Sequence, residues 1–400
     1  MEASSRSRLV TARQREEERV TPLELFFDLV FVLALTQCTA LMAANPTWEG
    51  LAQGLLVLGV LWWAWVGYAW LTSVVDPEAG TVRLAIFAAM AAFLVASLAI
   101  PNAFGDDGLI FAAAYGFVRI AHIWLFTIAS RDDPGLRRSV VGLAASTSLG
   151  VTLLLVASAT DGALQLVLWG AALLLDAAGP YLIGAEGWRL MPAHFAERHG
   201  LILIIALGES IVAIGVGSNA VVGTGVIVAA VFGIAIAAAL WWIYFDVTVW
   251  VAERQFTEME AGRDQNELGR DAYSYLHFAM VAGIVLLALG AKKTLEHVGD
   301  DLKTIPAVAL VGGVALYLLA LVAFRFRIRR TLSRTRLASA IVLLAVLPLG
   351  LVLPALATVA IVFAVLLGLI AYEYVAYREF RERVRHELAR DHRTEEGATA

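Results

Sequence analysis

The sequence predicts an all-α polytopic integral membrane protein with about 12 transmembrane helices. Of its 400 residues, 60% are hydrophobic and only 16% are charged, whereas soluble domains average about 25% charged residues. Runs of about 20 apolar residues, each long enough to cross the hydrocarbon layer of a bilayer, recur along almost the whole chain. The lipid bilayer is therefore the first partner that the sequence indicates.

Twelve spans follow from the apolar runs and the turn residues between them. In the first half they are residues 22–43, 49–74, 82–100, 108–129, 139–159 and 162–183. In the second half they are residues 196–217, 221–245, 271–291, 304–324, 337–353 and 355–377. The last division is placed between Pro348 and Pro354, because the apolar run 337–377 is too long for one span and proline interrupts helices.

Positive charge lies almost entirely on one side of this arrangement. Of the 30 lysines and arginines, 26 fall in the two tails or in loops on the N-terminal side, a count that includes Arg198 at the start of the seventh span. Lys292, Lys293 and Lys303 fall on the opposite side, and Arg119 lies within a span. Because positive charge favours the cytoplasmic side, both termini are expected in the cytoplasm.

The chain also has the pattern of a duplication. Leu61-Trp62-Trp63 in the second span recurs as Leu240-Trp241-Trp242 in the eighth. The first and last spans of each half contain an acid, at positions Asp28, Asp176, Glu209 and Glu373. Six spans per half would give the halves the same orientation, a 6+6 parallel repeat; coincidence is the alternative. The expected organisation is a charged tail 1–21, a first repeat 22–183, a linker 184–196, a second repeat 197–377 and a tail 378–400.

Four ionisable residues within spans are the main candidates for a site: Asp28, Arg119, Asp176 and Glu209. Charged groups are costly inside a bilayer and usually have a function there. One arginine among three acids is the compensation that a low dielectric requires. Helical spacing places Tyr115, Arg119 and His122 on one face of the fourth span. We expect these groups to bind protons or substrate, although structural ion pairs are the alternative for each.

Secondary candidates are Glu24, His122, His199 and Glu373. Thr21-Pro22-Leu23-Glu24 has the pattern of a helix capping box, so Glu24 could serve only to bind backbone donors. His122 could be a hydrogen-bonded core residue, and Glu373 could extend to the membrane surface. His199, near acids at the inner leaflet, could take part in acid–base chemistry.

The sequence lacks the motifs of several classes of enzyme and metal-binding protein. The chain has no phosphate-binding Walker loop, no HExxH and no CxxC. Its single cysteine, Cys38, excludes an intrachain disulfide and a multi-cysteine metal site. No cofactor, metal or nucleic-acid partner is expected; the expected ligand is a small molecule or an ion.

Two blocks resemble one bacterial family. The first is Glu24-Leu25-Phe26-Phe27-Asp28-Leu29-Val30-Phe31-Val32, followed by Thr36-Gln37; the second runs from Glu197-Arg198-His199-Gly200-Leu201 through Leu207-Gly208-Glu209-Ser210-Ile211-Val212-Ala213-Ile214-Gly215. Both resemble the low temperature requirement protein A (LtrA) family. The resemblance implies a multi-pass protein of the bacterial inner membrane linked to growth in the cold, and it implies no particular substrate or reaction.

Membrane acids without an ATP-binding motif favour a proton-coupled secondary transporter or permease. A carboxyl group in a low dielectric favours its protonated form and can exchange protons near neutral pH. Arg119 would then serve as counter-charge or anion ligand. The alternatives are an intramembrane lipid-modifying enzyme and a channel or scaffold protein.

Overall fold

The computed structural model describes residues 19–182, 188, 190–217, 223–379 and 382. Most of the two expected tails, 1–21 and 378–400, and five of the 13 residues of the expected linker 184–196 lie outside the described residues. Within the described part the chain consists of helices and turns and contains no strand, only an isolated bridge between Asp301 and Pro354.

The first half forms six long helices. They are α1 (Pro22–Ala44), α2 (Trp48–Thr72), α3 (Gly80–Ala99), α4 (Gly108–Ala129), α5 (Pro134–Ala157) and α6 (Gly162–Leu182). Side chains of Thr21, Thr47 and Asp133 cap the first turns of α1, α2 and α5. Capping oxygens satisfy backbone N–H groups that have no partner within the helix.

The second half is more segmented. Its helices are α7 (Pro192–Gly217), α8 (Thr224–Phe245), α9 (Thr248–Thr257), α10 (Arg263–Leu268), α11 (His277–Glu296), α12 (Thr304–Ala307), α13 (Gly313–Arg329), α14 (Arg334–Val346) and α15 (Ala355–Ala376). The π-helical turns Gly269–Leu276 and Val308–Gly312 join α10 to α11 and α12 to α13. A 3₁₀ turn, Leu347–Leu351, ends α14 in the proline-containing segment where the sequence predicts a break.

These helices confirm a polytopic all-α membrane protein. Eleven described helices are long and apolar enough to cross a membrane, and the remaining predicted span, 196–217, lies inside the 26-residue α7. Two predicted spans are much longer than expected: 271–291 becomes the continuous segment Arg263–Glu296, and 221–245 becomes the segment Thr224–Thr257, which includes α9. No predicted span includes α9, because its residues mix polar and apolar side chains and lack a run of about 20 apolar residues.

The centre of the bundle is formed by α2 and the segment Arg263–Glu296, whose most apolar windows are each 78% buried. The corresponding windows of α5 and α6 are 28% buried, and that of the α14 segment is 22% buried. Large apolar side chains on these outer helices are exposed, for example Val141 and Leu174. The exposed surface of the outer helices therefore faces lipid.

Neighbouring helices pair in a recurring order. In the first half α1 packs on α2 and α3, α3 on α4, α4 on α5, α5 on α6, and α2 on α6. In the second half α7 packs on α8 and α11, α11 on α13, α13 on α14, α14 on α15, and α8 on α15. Since α11 and α13 are the third and fourth spans of their half, these six pairs of the first half recur, whereas the packing of α2 on α4 has no comparable counterpart between α8 and α13.

A close helix crossing joins Gly283 of α11 to Gly313 of α13. A Cβ atom on Gly283 would lie 2.6 Å from the Gly313 carbonyl oxygen, and one on Gly313 would lie 2.6 Å from the Gly283 carbonyl oxygen. Small residues allow such backbone approach in membrane bundles.

We expect Gly283→Val to force α11 and α13 apart and to lower stability by about 1–3 kcal/mol. The measurement is thermal unfolding of the purified protein in detergent. Gly170→Val on α6 is the control, because a Cβ at Gly170 meets nothing within 4 Å. An equal loss of stability in both variants would contradict the tight crossing.

Candidate functional site

A first cluster of buried charges joins the N-terminal ends of α1 and α7. Arg198 Nη2 donates to Asp28 Oδ1 at 3.0 Å, and Arg198 Nη1 lies 3.5 Å from Glu24 Oε1. His194 Nε2 lies 2.8 Å from the same Glu24 oxygen. Trp65 Nε1 donates to Asp28 Oδ1 at 2.7 Å. We call Glu24, Asp28, His194 and Arg198 the α1–α7 network.

Glu24 has two roles in this network. The capping box is present, since the Glu24 backbone N–H donates to Thr21 Oγ1 at 3.3 Å and Thr21 N donates to Glu24 Oε2 at 2.9 Å. The other carboxylate oxygen faces His194 and Arg198. The cap fixes the first turn of α1, and Asp28 follows one turn later on the same helix face.

Arg198 is counted above among the loop and tail charges on the N-terminal side, but the structure places it inside a helix. The helix α7 begins at Pro192, which places Arg198 about 9 Å along it at 1.5 Å per residue. Its side chain is 1% exposed, and its Nη1 also donates to Thr72 Oγ1 at 2.6 Å. The count on the N-terminal side therefore falls from 26 to 25.

A second cluster of buried charges joins α4, α5 and α6. Arg119 Nη2 donates to Asp176 Oδ1 at 3.1 Å and to Thr147 Oγ1 at 2.7 Å. Tyr115 donates to Asp176 Oδ2 at 2.6 Å, and Thr147 donates to Oδ1 at 3.2 Å. Arg119 Nη1 donates to the carbonyl oxygen of Trp63 at 3.0 Å. We call Tyr115, Arg119, Thr147 and Asp176 the α4–α6 network.

The helix α2 lies between the two networks and contacts both. On one side Trp65 donates to Asp28, and the Tyr68 carbonyl oxygen accepts from Arg198 at 3.3 Å. On the other side the Tyr68 hydroxyl donates to the Val118 carbonyl oxygen on α4 at 3.1 Å. A shift of α2 would therefore disturb both networks together.

A cavity of about 80 Å³ adjoins the α4–α6 network. Its lining includes Trp63, Gly67, Arg119, His122 and Asp176. Both ring nitrogens of His122 and the Nε of Arg119 are buried without a hydrogen-bond partner among the described residues. Buried polar groups are normally paired, and a cavity of this size accommodates several water molecules or a small solute. The cavity thus offers unused hydrogen-bonding groups beside a buried ion pair.

The cavity extends toward the side of the bundle where the N-terminus lies. Its lining continues through Trp70, Ser139 and Pro180 to Trp188 and Arg270. Trp70 lies near the end of α2, Ser139 near the start of α5 and Pro180 near the end of α6. Because successive spans alternate in direction, these three helix ends lie on the same side as the start of α1. Arg119 and Asp176 therefore form its deeper part.

The four main candidates do not converge on one cavity. Arg119 and Asp176 share the cavity, whereas Asp28 belongs to the α1–α7 network on the other side of α2. Glu209 lies apart from both: it is 2% exposed and accepts a hydrogen bond from Thr36 Oγ1 of α1.

Two secondary candidates, His199 and Glu373, are engaged in packing and in an ion pair. His199 is buried among aromatic rings, with the ring centroids of Phe195, Trp65 and Tyr273 at 4.3, 5.0 and 5.5 Å. It lines neither this cavity nor the one described for the second half below. Glu373 forms a two-pronged ion pair with Arg336, at 2.9 and 3.0 Å.

Sequence reasoning missed His194 and Arg198 as site residues. Their i, i+4 spacing places both on one helix face, but the pattern becomes visible only when α7 begins at Pro192. Trp65 and Thr147 were also missed, because tryptophan and threonine in apolar helices have no distinctive signal.

Comparison with known proteins covers nearly the whole chain. The family model described as "Bacterial low temperature requirement A protein (LtrA)" matches residues 19–371. A protein of Rhizobium meliloti (strain 1021), described as uncharacterized, is 30% identical over 370 residues, which is 90% of each chain. No solved structure matches.

We expect Arg198→Gln to destabilise the protein by about 3–5 kcal/mol, because it leaves two buried carboxylates without their shared cation. Asp28→Asn combined with Arg198→Gln removes one of those charges and should be less destabilising than Arg198→Gln alone. Thermal unfolding in detergent is measured for Arg198→Gln, for Asp28→Asn and for the double variant, with the exposed Arg137→Gln as control. Simple additivity of the two substitutions would contradict the ion pair.

Proposed function

The chain belongs to the bacterial low temperature requirement A (LtrA) family, and we propose that this multi-pass membrane protein is a proton-coupled secondary transporter of a small polar solute. The observation that supports this most is the cavity beside Arg119 and Asp176. It combines a buried ion pair with an unpartnered imidazole, His122, inside a membrane bundle. Ionisable groups at membrane depth that adjoin a cavity are typical of substrate and ion pathways.

The pairing of the helices supports a duplicated architecture of residues 22–183 and 197–377. Six helix pairs of the first half recur in the second. In many transporters, two repeats rock against one another and expose a central site to each side in turn. The two halves meet where α1 packs on α7 and α11. Asp28 lies on α1, and Arg198 and Glu209 lie on α7, where Glu209 accepts from Thr36 of α1.

The charge distribution supports a location in the inner membrane with both termini in the cytoplasm. With Arg198 removed from the count, 25 lysines and arginines still lie on the N-terminal side against three on the other. Positive residues favour the cytoplasm. In this orientation the cavity extends toward the cytoplasm, which supports an inward-facing state of the proposed transporter.

Arg119 and Asp176 are proposed to hold the solute, with His122 as a further hydrogen-bonding group. Asp28 and Glu209 are proposed to carry the proton. Protonation of Asp28 would weaken its pairing with Arg198 and its acceptance of the Trp65 N–H. Because Trp65 lies on α2, whose opposite side forms the cavity wall, a proton at Asp28 can be coupled to the solute through this helix.

The structural surroundings offer less support for a lipid-modifying enzyme. That alternative depends on His199, and aromatic rings enclose its imidazole. A lipid headgroup could not reach this side chain without displacing them. No observation among the described residues favours a channel over a carrier.

Coupling to protons is testable with pyranine-loaded proteoliposomes and a panel of small carboxylates, phosphate and amino acids. We expect at least one solute to drive proton movement in the unmodified protein. Asp28→Asn and Glu209→Gln should each abolish this movement, because an amide cannot carry the proton. Arg137→Gln is the control. Full activity of both amide variants, or no solute-dependent proton movement at all, would exclude the proposed mechanism.

The cavity is testable with Gly67→Ala. The added Cβ would lie 2.9 Å from the Nε2 and Cε1 atoms of His122 and 3.2 Å from Arg119 Nη1, so the imidazole must move into the cavity. We expect solute-driven flux to fall at least about tenfold while the melting temperature is kept. Gly170→Ala, which meets open space, should leave both unchanged. Wild-type flux in Gly67→Ala would place the solute elsewhere.

A further inference from the structure

A second cavity lies in the other half of the bundle, between the ends of α8, α13 and α15. Its lining includes three arginines, Arg325, Arg329 and Arg336. We propose that it binds the phosphate headgroup of an anionic phospholipid. The proposal is independent of the transport activity.

The three arginines are not equally engaged. Arg336 is 7% exposed and is held by Glu373 and by Thr248, whose Oγ1 accepts from Nη1 at 3.0 Å. Arg325 and Arg329 have no hydrogen bond or ion pair with any described residue. They are one helical turn apart on α13, so both guanidinium groups can reach one bound phosphate.

The charge of the lining favours an anion. Its acids are Asp246 and Glu373, and Glu373 already neutralises Arg336. Asp246 is the remaining acid of the lining beside Arg325 and Arg329, so the lining has a net charge of +1. Two neighbouring cations repel each other, and an anion between them would relieve that repulsion.

The apolar part of the lining points to a lipid rather than a free anion. Ile243, Phe324 and Ile370 form apolar walls beside the arginines. Trp242 and Tyr377 line the same cavity, and such aromatic side chains prefer the membrane interface. On α15, Leu367 is 51% exposed and so faces lipid, three residues before the lining residue Ile370. Basic pockets between membrane helices at this level bind lipid headgroups.

The two cavities occupy corresponding places in the two halves. Trp63 and Trp242, the last residues of the repeated Leu-Trp-Trp motif, line one cavity each. Each cavity also contains an arginine paired with an acid of the last helix of its half, Asp176 or Glu373. The second cavity differs in its additional arginines, which is why we assign it a different ligand.

The test is lipid retention by the full-length protein, measured by native mass spectrometry after mixing with phosphatidylglycerol or phosphatidylcholine. We expect preferential retention of phosphatidylglycerol. Arg325→Gln combined with Arg329→Gln should reduce that preference by about 30-fold, since each interfacial arginine contributes roughly a factor of five. Arg137→Gln combined with Arg138→Gln is the control, because it removes the same charge from exposed positions on the same side.

Three results would overturn the proposal. The first is equal retention of the two lipids by the unmodified protein. The second is an equal loss of preference in the cavity variant and in the control. The third is displacement of phosphatidylglycerol by millimolar inorganic phosphate, which would assign the cavity to a free anion. Retained melting temperature in the cavity variant shows that any loss reflects binding and not unfolding.

Discussion

The pairing of two buried arginines with carboxylates on opposite sides of α2 is the interaction on which the rest of the structure depends. Arg198 and Arg119 are 1% and 3% exposed in their side chains, and each lies 3.0–3.1 Å from an aspartate oxygen. Charges in a membrane are tolerated when they face one another inside the protein rather than lipid. Removing one partner would leave the other buried and uncompensated, so these pairs fix the positions of α1, α4, α6 and α7 around α2.

This arrangement explains why α2 is so aromatic and so deeply buried. Trp65 donates its ring N–H to Asp28, and the Tyr68 carbonyl oxygen accepts from Arg198. The Tyr68 hydroxyl donates to the Val118 carbonyl oxygen on α4, and both rings fill the space between helices. Gly67, in contrast, leaves room for His122 and the cavity. Rigid aromatic packing and an adjacent open space therefore lie on the same helix, between the two networks.

Much of the architecture follows from hydropathy, because each span needs about 20 apolar residues. Proline residues then indicate where the last apolar run divides into two spans. The α4–α6 network also follows in part, since helical periodicity places Tyr115 and Arg119 on one face. The convergence of helices does not follow. Distance along a helix gives the depth of Asp28 and Glu209 but not the direction in which each helix turns them, and Glu209 lies against Thr36 of α1 instead of the cavity. Arg198 was missed because an arginine close to a predicted span boundary has the pattern of a loop charge.

The account is tested most directly by the accessibility of the cavity to water from one side only. In a Cys38→Ser background, Ser139→Cys places a thiol in the cavity lining, and Ser148→Cys places one on the exposed face of the same helix α5. A membrane-impermeant cationic thiol reagent should modify Ser139→Cys in inverted vesicles but not from outside intact cells, and should leave Ser148→Cys unmodified from either side. Equal reaction of the two positions, or reaction of Ser139→Cys from outside alone, would contradict a cavity that is accessible from the cytoplasm only.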